Sequence, residues 1–366
     1  INHDVQNCTL LYRRTKMQVS INELRTLIPT IGVELTPIIQ SEAGCGKTSL
    51  LGMMEQDLGD KYDYVYVDCP VKDMSDIAMT IPNHATKSLE NYNGSIFKLE
   101  SPKPKIILLD EFMKAPKMLQ VIFTRLMLER CIGDTPLPEG SIVFGTSNNE
   151  TDGLGDTMLA HAGNRVCLLQ MEKPNAKTWI QWATDNGIHS LVRAWVHMFP
   201  TCLASYKDGN EDDNPYIFQP KKHQLSFCSP RSLAKSSVII SAKDKMTPNA
   251  LMCALAGTIG KSAASQFSAF LSLEKVLPDW KDIFDNPQTT DVPEDTNAQL
   301  MLIFQALDRI ENAEDCRNVL AYVTRFPSRE MHAIFFTQVL KAKKTKKIAS
   351  GVKEITKWAE ENSDLF

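Results

Sequence analysis

Hydrophobic and polar positions along the first half of the chain form short apolar runs separated by amphipathic segments, which predicts strands alternating with helices. Strands are expected over residues 37–40, 64–67, 106–109, 142–145 and 166–169. Helices are expected over residues 47–58 and 116–130. Continuous apolar runs such as residues 106–109 are typical of strands that are covered on both faces. We therefore predict an α/β core built on a parallel sheet.

Other segments of the chain break this alternation. A short helix over residues 17–27 is expected to be ended by Pro29 and Gly32, and residues 79–104 show so little periodicity that we expect a surface excursion. After residue 173 the pattern becomes helical. The predicted organisation is an N-terminal extension (1–20), an α/β nucleotide-binding core (21–172), a helical lid (173–270) and a helical C-terminal region (271–366).

A glycine-rich segment, S-E-A-G-C-G-K-T over residues 41–48, lies between the first predicted strand and a helix, as a phosphate-binding loop requires. Glycines allow main-chain N–H groups to turn toward a phosphate, and the helix that follows adds its N-terminal dipole. Lys47 would reach the β- and γ-phosphates, and Thr48 would ligate Mg²⁺. Ser41 stands where the motif usually has glycine, so the start of the loop is expected to differ in shape. The expected nucleotide-binding residues are Ala43, Gly44, Cys45, Gly46, Lys47, Thr48 and Ser49.

Two adjacent carboxylates, Asp110 and Glu111, follow the buried run at residues 106–109. Ligands of open α/β sheets bind at the carboxyl ends of the strands, where this pair would lie. Asp110 would hold Mg²⁺, and Glu111 would orient and deprotonate the attacking water. The pattern is that of a Walker B motif; the alternative is an acidic pair that caps the next helix.

The segment L-D-E-F at residues 109–112, followed by K-A-P at 114–116, resembles the second Walker box of MoxR-type AAA+ ATPases. Three later segments agree with that resemblance. The strand that ends at Asn148 resembles sensor 1, with the adjacent Asn149 as a rival. Asn164-Arg165-Val166 resembles the arginine finger, and S-P-R-S-L at residues 229–233 resembles sensor 2, which contributes Arg231.

This resemblance implies that ATP and Mg²⁺ bind between the subunits of a ring, expected to be a hexamer, with Glu111, Asn148, Arg165 and Arg231 as catalytic residues. It also implies a β-hairpin within residues 79–104, remodelling of a partner protein, and a von Willebrand factor A-like protein as a possible partner. The alternative is an AAA+ motor or loader acting on DNA. A third hypothesis is a scaffold that binds ATP and hardly hydrolyses it.

Charge and cysteine content indicate what the protein is expected to bind and in which compartment. The formal net charge of −4 gives the molecule no general attraction to phosphate backbones or anionic lipid. Nine cysteines occur singly, as is typical of free thiols in a reducing cytoplasm, and no apolar run is long enough to span a membrane. The dense lysine run at residues 341–347 is interpreted as a solvated face, with nucleic-acid contact as the alternative.

Overall fold

A computed structural model describes residues 17–149, 165–208, 213–222 and 224–362. The chain separates into two compact units, Ile1–Lys173 and Pro174–Phe366. The first unit contains an α/β core and the second unit is helical. The predicted fold class, a parallel five-stranded sheet with helices followed by helical regions, is confirmed.

The central sheet of the first unit has five parallel strands in the order β2-β5-β8-β1-β9. The strands are β1 (Pro37–Ser41), β2 (Asp63–Asp68), β5 (Lys105–Asp110), β8 (Ile142–Asn148) and β9 (Cys167–Gln170). β5, β8 and β1 form the middle of the sheet, and every residue in them is buried. This burial explains why their sequences are nearly continuous apolar runs.

Alternate residues of β5 point to opposite faces of the sheet. Ile106 and Leu108 pack with the helices α1 (Ile21–Ile31) and α2 (Ser49–Leu58) on one face. Ile107 and Leu109 pack on the other face with helix α4 (Lys117–Glu129), whose Phe123 is completely buried. Each face therefore has its own hydrophobic cluster, and the sheet separates the two.

The first helix differs from its prediction because it begins later and passes through a proline. Ser20 caps its N-terminus in a capping box with Glu23, and the helix continues through Pro29 to Ile31. Leu24 and Ile28 are fully buried in this helix. Their burial compensates for the cost of a proline inside a helix.

Residues 79–104 contain more regular structure than their pattern indicated. After the short helix α3 (Met74–Ile77), β3 (Ala78–Asn83) and β4 (Ser88–Asn93) pair antiparallel, with Met79 opposite Tyr92. This is the hairpin that the family resemblance implied. A second, shorter hairpin, β6 (Cys131–Ile132) and β7 (Thr135–Pro136), accepts hydrogen bonds from the Asn91 and Asn93 side chains through Asp134 and Thr135.

The second unit is a bundle of helices around one hydrophobic core, to which residues on both sides of position 270 contribute. Trp195 stacks on Phe267 with ring centroids 5.2 Å apart. Among the residues the structure describes, no helix has the length and apolar character that crossing a bilayer demands. The helices of this unit are α5 (Ala176–Asp185), α6 (Ser190–Met198), α7 (Pro230–Ser241), α8 (Pro248–Ile259), α9 (Lys261–Leu271), α10 (Trp280–Asp285), α11 (Thr296–Arg309), α12 (Ala313–Val323), α13 (Arg329–Lys341), α14 (Lys343–Ala349) and α15 (Lys353–Glu361).

Two glycines of the first unit give a matched test of this packing. A Cβ at Gly94 would lie 1.9 Å from the Asp76 carbonyl oxygen, whereas a Cβ at Gly52 meets nothing within 4 Å. We expect Gly94→Ala to lower the free energy of unfolding by about 1–3 kcal/mol through overpacking. Gly52→Ala lies inside α2 and should raise that free energy by about 0.5–1 kcal/mol. Urea unfolding measures both, and equal effects would contradict the assigned contacts.

Candidate active site

The carboxyl ends of three neighbouring strands meet at one edge of the sheet. β1 ends at Ser41, β5 at Asp110 and β8 at Asn148. The register places Ser41 beside Asn148 and Leu109 beside Gly145. The three polar residues at the strand ends, Ser41, Asp110 and Asn148, are therefore brought together, and all three are buried.

Lys47 lies at the centre of this edge with only 7% of its surface exposed. Its ammonium group donates to the Ser41 carbonyl and hydroxyl oxygens, each at 3.1 Å, and to the Glu42 carbonyl oxygen at 3.2 Å. It also donates to Asn148 Oδ1 at 2.9 Å. These acceptors offset the desolvation of the charge. Ser41, which departs from the usual glycine, thus supplies a hydroxyl acceptor to this lysine.

The loop before α2 has the backbone that a phosphate-binding loop needs. Gly44 and Gly46 have φ of 76° and 97°, values that favour glycine. Cys45 between them is buried, and burial raises the pKa of its thiol to about 11, so it stays protonated. Ser49 begins α2 and donates through Oγ to the Gly46 carbonyl oxygen at 2.6 Å.

An ion pair anchors the start of the loop. Glu42 Oε2 lies 3.4 Å from Lys173 Nζ, and both side chains are nearly inaccessible, at 6% and 4% exposure. Lys173 follows β9 and is the last residue of the first unit. Removing one partner of such a pair leaves an uncompensated buried charge, so the pair constrains the loop.

Asp110 accepts hydrogen bonds from three hydroxyl groups. Thr48 Oγ1 and the Tyr66 hydroxyl donate to its Oδ2 at 2.9 Å and 3.0 Å, and Thr146 Oγ1 donates to its Oδ1. Partial burial, and secondarily the Asp110 charge, raises the pKa of Tyr66, so this phenol remains a donor. The carboxylate is therefore held in one orientation beside the phosphate loop.

Glu111 has a left-handed backbone, with φ of 50°. Such a conformation is strained for a residue with a side chain and is frequent at functional sites. Its N–H donates to Thr146 Oγ1 at 3.1 Å, so Thr146 contacts both carboxylate residues. The Glu111 carboxylate accepts from Lys114 Nζ at 2.7 Å and is partly exposed.

These residues fit a magnesium nucleotide. Mg²⁺ prefers oxygen ligands, and typically takes one or two carboxylates together with substrate phosphates and water. Thr48 and Asp110, whose side-chain oxygens are 2.9 Å apart, would hold it. A magnesium ion bound there would neutralise charge on the phosphate oxygens.

The two predicted arginines, Arg165 and Arg231, are not part of this cluster of loop and strand-end residues. Arg165 is exposed and precedes β9, whereas its motif neighbour Asn164 lies outside the described residues. Arg231 is exposed on the first turn of α7, where Ser229 caps the helix and Pro230 occupies its first position, as predicted. Arg231 belongs to the second unit, so its role toward a nucleotide stays a prediction.

Three of the side chains that contact the two carboxylate residues were not predicted as site residues from the sequence. Tyr66 and Thr146 reach Asp110 from the neighbouring strands β2 and β8, and Lys114 pairs with Glu111 from the turn after β5. Strand register brings the first two into contact, and it has no local signal in the sequence. The spacing of three residues between Glu111 and Lys114 could have indicated the third.

Comparison with known proteins gives only distant likenesses. No protein-family model matches the chain, and no curated protein matches it. Among solved structures, it is similar to a Thermotoga maritima RuvB variant at 13% identity and a TM-score of 0.36, over 72% of this chain and 75% of that one. It is also similar to Brucella abortus NtrX in complex with ADP, at 13% identity and a TM-score of 0.34, over 99% of this chain and 72% of the other.

A third likeness is to a Cytophaga hutchinsonii protein with a provisional ATPase assignment. The identity is 16% and the TM-score 0.32, over 64% of this chain and 80% of that protein. At such identities and TM-scores, these likenesses assign no activity to this chain. The proposed function therefore depends on the geometry of the site itself.

Two hydroxyl deletions test how Asp110 is held. Thr146 is fully buried, whereas Tyr66 is 47% exposed. Thr146→Val should lower the free energy of unfolding by about 1–3 kcal/mol, because a buried carboxylate oxygen and the Glu111 N–H both lose a partner. Tyr66→Phe should cost less than about 1 kcal/mol, since water can replace the phenol. Equal losses in urea unfolding would show that Thr146 has no special structural role.

Proposed function

We propose that this protein is a Mg²⁺-dependent ATP hydrolase of the AAA+ class. The observation that carries the proposal is the contact between Lys47 and Asn148 beside the contact between Thr48 and Asp110. Phosphoryl transfer uses a lysine after a glycine-rich loop, a hydroxyl at the end of that loop and a carboxylate at the end of a neighbouring strand. Their positions at the carboxyl edge of the sheet match the usual ligand site of such folds.

In the proposed mechanism, the main-chain N–H groups of the loop and the start of α2 bind the phosphates of ATP. Lys47 moves part of its hydrogen bonding from Ser41 and Glu42 to the β- and γ-phosphate oxygens. Glu111 accepts a proton from the water that attacks the γ-phosphorus, while the bond to the β-phosphate oxygen breaks and ADP leaves. Asn148, already within hydrogen-bond distance of Lys47, would orient that water.

The position of Arg165 supports a site shared between subunits. The β1–β9 register pairs Pro37 with Cys167 and Gln40 with Gln170, so Arg165 precedes the opposite end of β9 from the phosphate loop. The four residues of β9, Cys167–Gln170, alone extend roughly 13 Å. We therefore propose that Arg165 acts on the nucleotide of a neighbouring copy in a ring, expected to be a hexamer.

The output we propose is remodelling of a partner protein by a MoxR-like ring, with a von Willebrand factor A-like protein as the candidate partner and the cytoplasm as the location. The resemblance of residues 109–116 to the MoxR-type motif supports this finer proposal. Hydrolysis would move the lid region, residues 173–270, relative to the core, residues 21–172. Arg231 would sense the nucleotide from that lid.

The first test replaces the proposed base. Glu111→Gln keeps the shape and the hydrogen bonding of the side chain but cannot accept the proton from water. Hydrolysis should fall by about 100-fold or more, while ATP affinity stays within a factor of a few. A matched control is Glu100→Gln, an exposed carboxylate outside the site. A Glu111→Gln variant with wild-type turnover would remove Glu111 from its role.

The second test concerns the neighbouring subunit. The hydrolysis rate per chain should rise with protein concentration as assembly proceeds, measured with light scattering on the same sample. Arg165→Ala should lower the rate of the assembled protein by about a thousandfold without weakening nucleotide binding by monomers. Lys117→Ala, another exposed cation of the first unit, should not change it.

Three results of this hydrolysis assay, run with and without added DNA and partner proteins, would count against the proposal. A constant rate from a monomer would contradict shared catalysis. Assembly on ATP with hardly any turnover would favour a scaffold. Strong stimulation by added DNA, with no effect of protein partners, would favour the alternative motor or loader acting on DNA.

A further inference from the structure

Four lysines lie together on one exposed half of helix α14 in the second unit. They are Lys343, Lys344, Lys346 and Lys347, and each is exposed. Thr345 and Ala349 are fully buried on the opposite half, which leaves the lysines on the outer half.

Acidic residues do not neutralise this lysine face. In the described part of the chain, no carboxylate lies within ion-pair distance of the ammonium groups of Lys343, Lys344, Lys346 or Lys347. Two acids that contact this segment, or lie beside one of its contacts, have other partners. Asp185 accepts from the main-chain N–H of Lys343 at 3.0 Å, and Asp308 pairs with the guanidinium of Arg193. Lys344 Nζ donates to a carbonyl oxygen, that of Asp308, at 2.5 Å.

The positive charge extends beyond this helix. Lys341 precedes α14, and its pKa is lowered first by burial and then by the charge of Lys177. Within α14, Lys343 is three and four residues before Lys346 and Lys347, spacings at which like charges repel. A protein with a formal net charge of −4 thus concentrates cations at one place, at a cost to local stability.

We infer that the lysine face of α14 binds the phosphate backbone of duplex nucleic acid. Such binding is driven by neutralising phosphates with lysine and arginine and needs no apolar contact. The exposed side chains that define the lysine face are all cations. In addition, no large apolar side chain is exposed from residue 277 to residue 362. Stable protein interfaces usually have an apolar centre, and membrane-surface helices insert an apolar face. The half of α14 opposite the lysines, which carries Thr345 and Ala349, is buried within the second unit.

The test compares two triple variants of the full chain. Lys343→Gln/Lys346→Gln/Lys347→Gln removes three cations of the lysine face. The matched control, Lys221→Gln/Lys222→Gln/Lys245→Gln, removes three exposed cations elsewhere in the same unit. Fluorescence anisotropy with a labelled 24-base-pair DNA duplex of mixed sequence gives the affinity at several salt concentrations. A 24-base-pair RNA duplex and vesicles containing phosphatidylserine are measured in parallel, and polyglutamate serves as an acidic polypeptide.

The wild type and the control should bind both duplexes alike. The slope of log affinity against log salt should be shallower by about 2.7 in the lysine-face variant, the value for three lost phosphate contacts. Its affinity at 0.1 M salt should fall by about tenfold or more. ATP hydrolysis without nucleic acid should not change, so this result is separate from the test of the proposed hydrolase. The inference is overturned if the wild type fails to bind duplex, if both variants bind equally, or if vesicles or polyglutamate bind more tightly than duplex.

Discussion

The hydrogen bonding of the Lys47 ammonium group is the constraint on which the site depends. A cation that is 7% exposed needs oxygen acceptors, and it finds them in Ser41, Glu42 and Asn148. These acceptors belong to the end of β1, the phosphate loop and the end of β8. The strand order, which places β8 beside β1, is therefore what makes a buried lysine possible at this edge. The hydrogen bonds from Lys47 to Ser41 and Glu42 in turn hold the loop that leads into α2.

A second layer of contacts supports this centre. Thr146 joins Asp110 to the main chain of Glu111, and the buried ion pair between Glu42 and Lys173 holds the loop from the other side. The first unit thus presents acceptors, donors and a strained glutamate in fixed positions. In the proposed mechanism, phosphates would bind there with a change of hydrogen-bond partners at Lys47. Electrostatic stabilisation of a transition state uses groups that are placed in advance in this way.

Much of the first unit could be predicted because its signals are local. Runs of buried apolar residues marked the middle strands, and the G-C-G-K-T segment marked the loop. The continuation of the first helix through Pro29 could not be predicted, because the burial of Leu24 and Ile28 is a tertiary effect. The β3–β4 hairpin followed from the family resemblance and not from its own pattern, since Met79 and Tyr92 on it remain exposed.

For the site, residue types at fixed spacing indicated Lys47, Thr48 and Asp110, which the structure brings together with Asn148. Tyr66 could not be found in this way, because its hydroxyl reaches Asp110 across two paired strands and nothing in its own segment indicates that contact. The proposed roles of Arg165 and Arg231 would depend on a second copy and on the second unit, and no local pattern fixes either.

Nucleotide binding tests most directly whether Lys47 forms a phosphate site. In a calorimetric titration, ATP and Mg²⁺ are added to the wild type and to Lys47→Met. Lys61→Met, an exposed lysine just after α2, is the matched control. The wild type and the control should each bind one nucleotide per chain. The affinity of Lys47→Met should be weaker by about 100-fold, as expected when a charged contact to phosphate is lost. Equal ATP binding by all three proteins would contradict a phosphate site at Lys47.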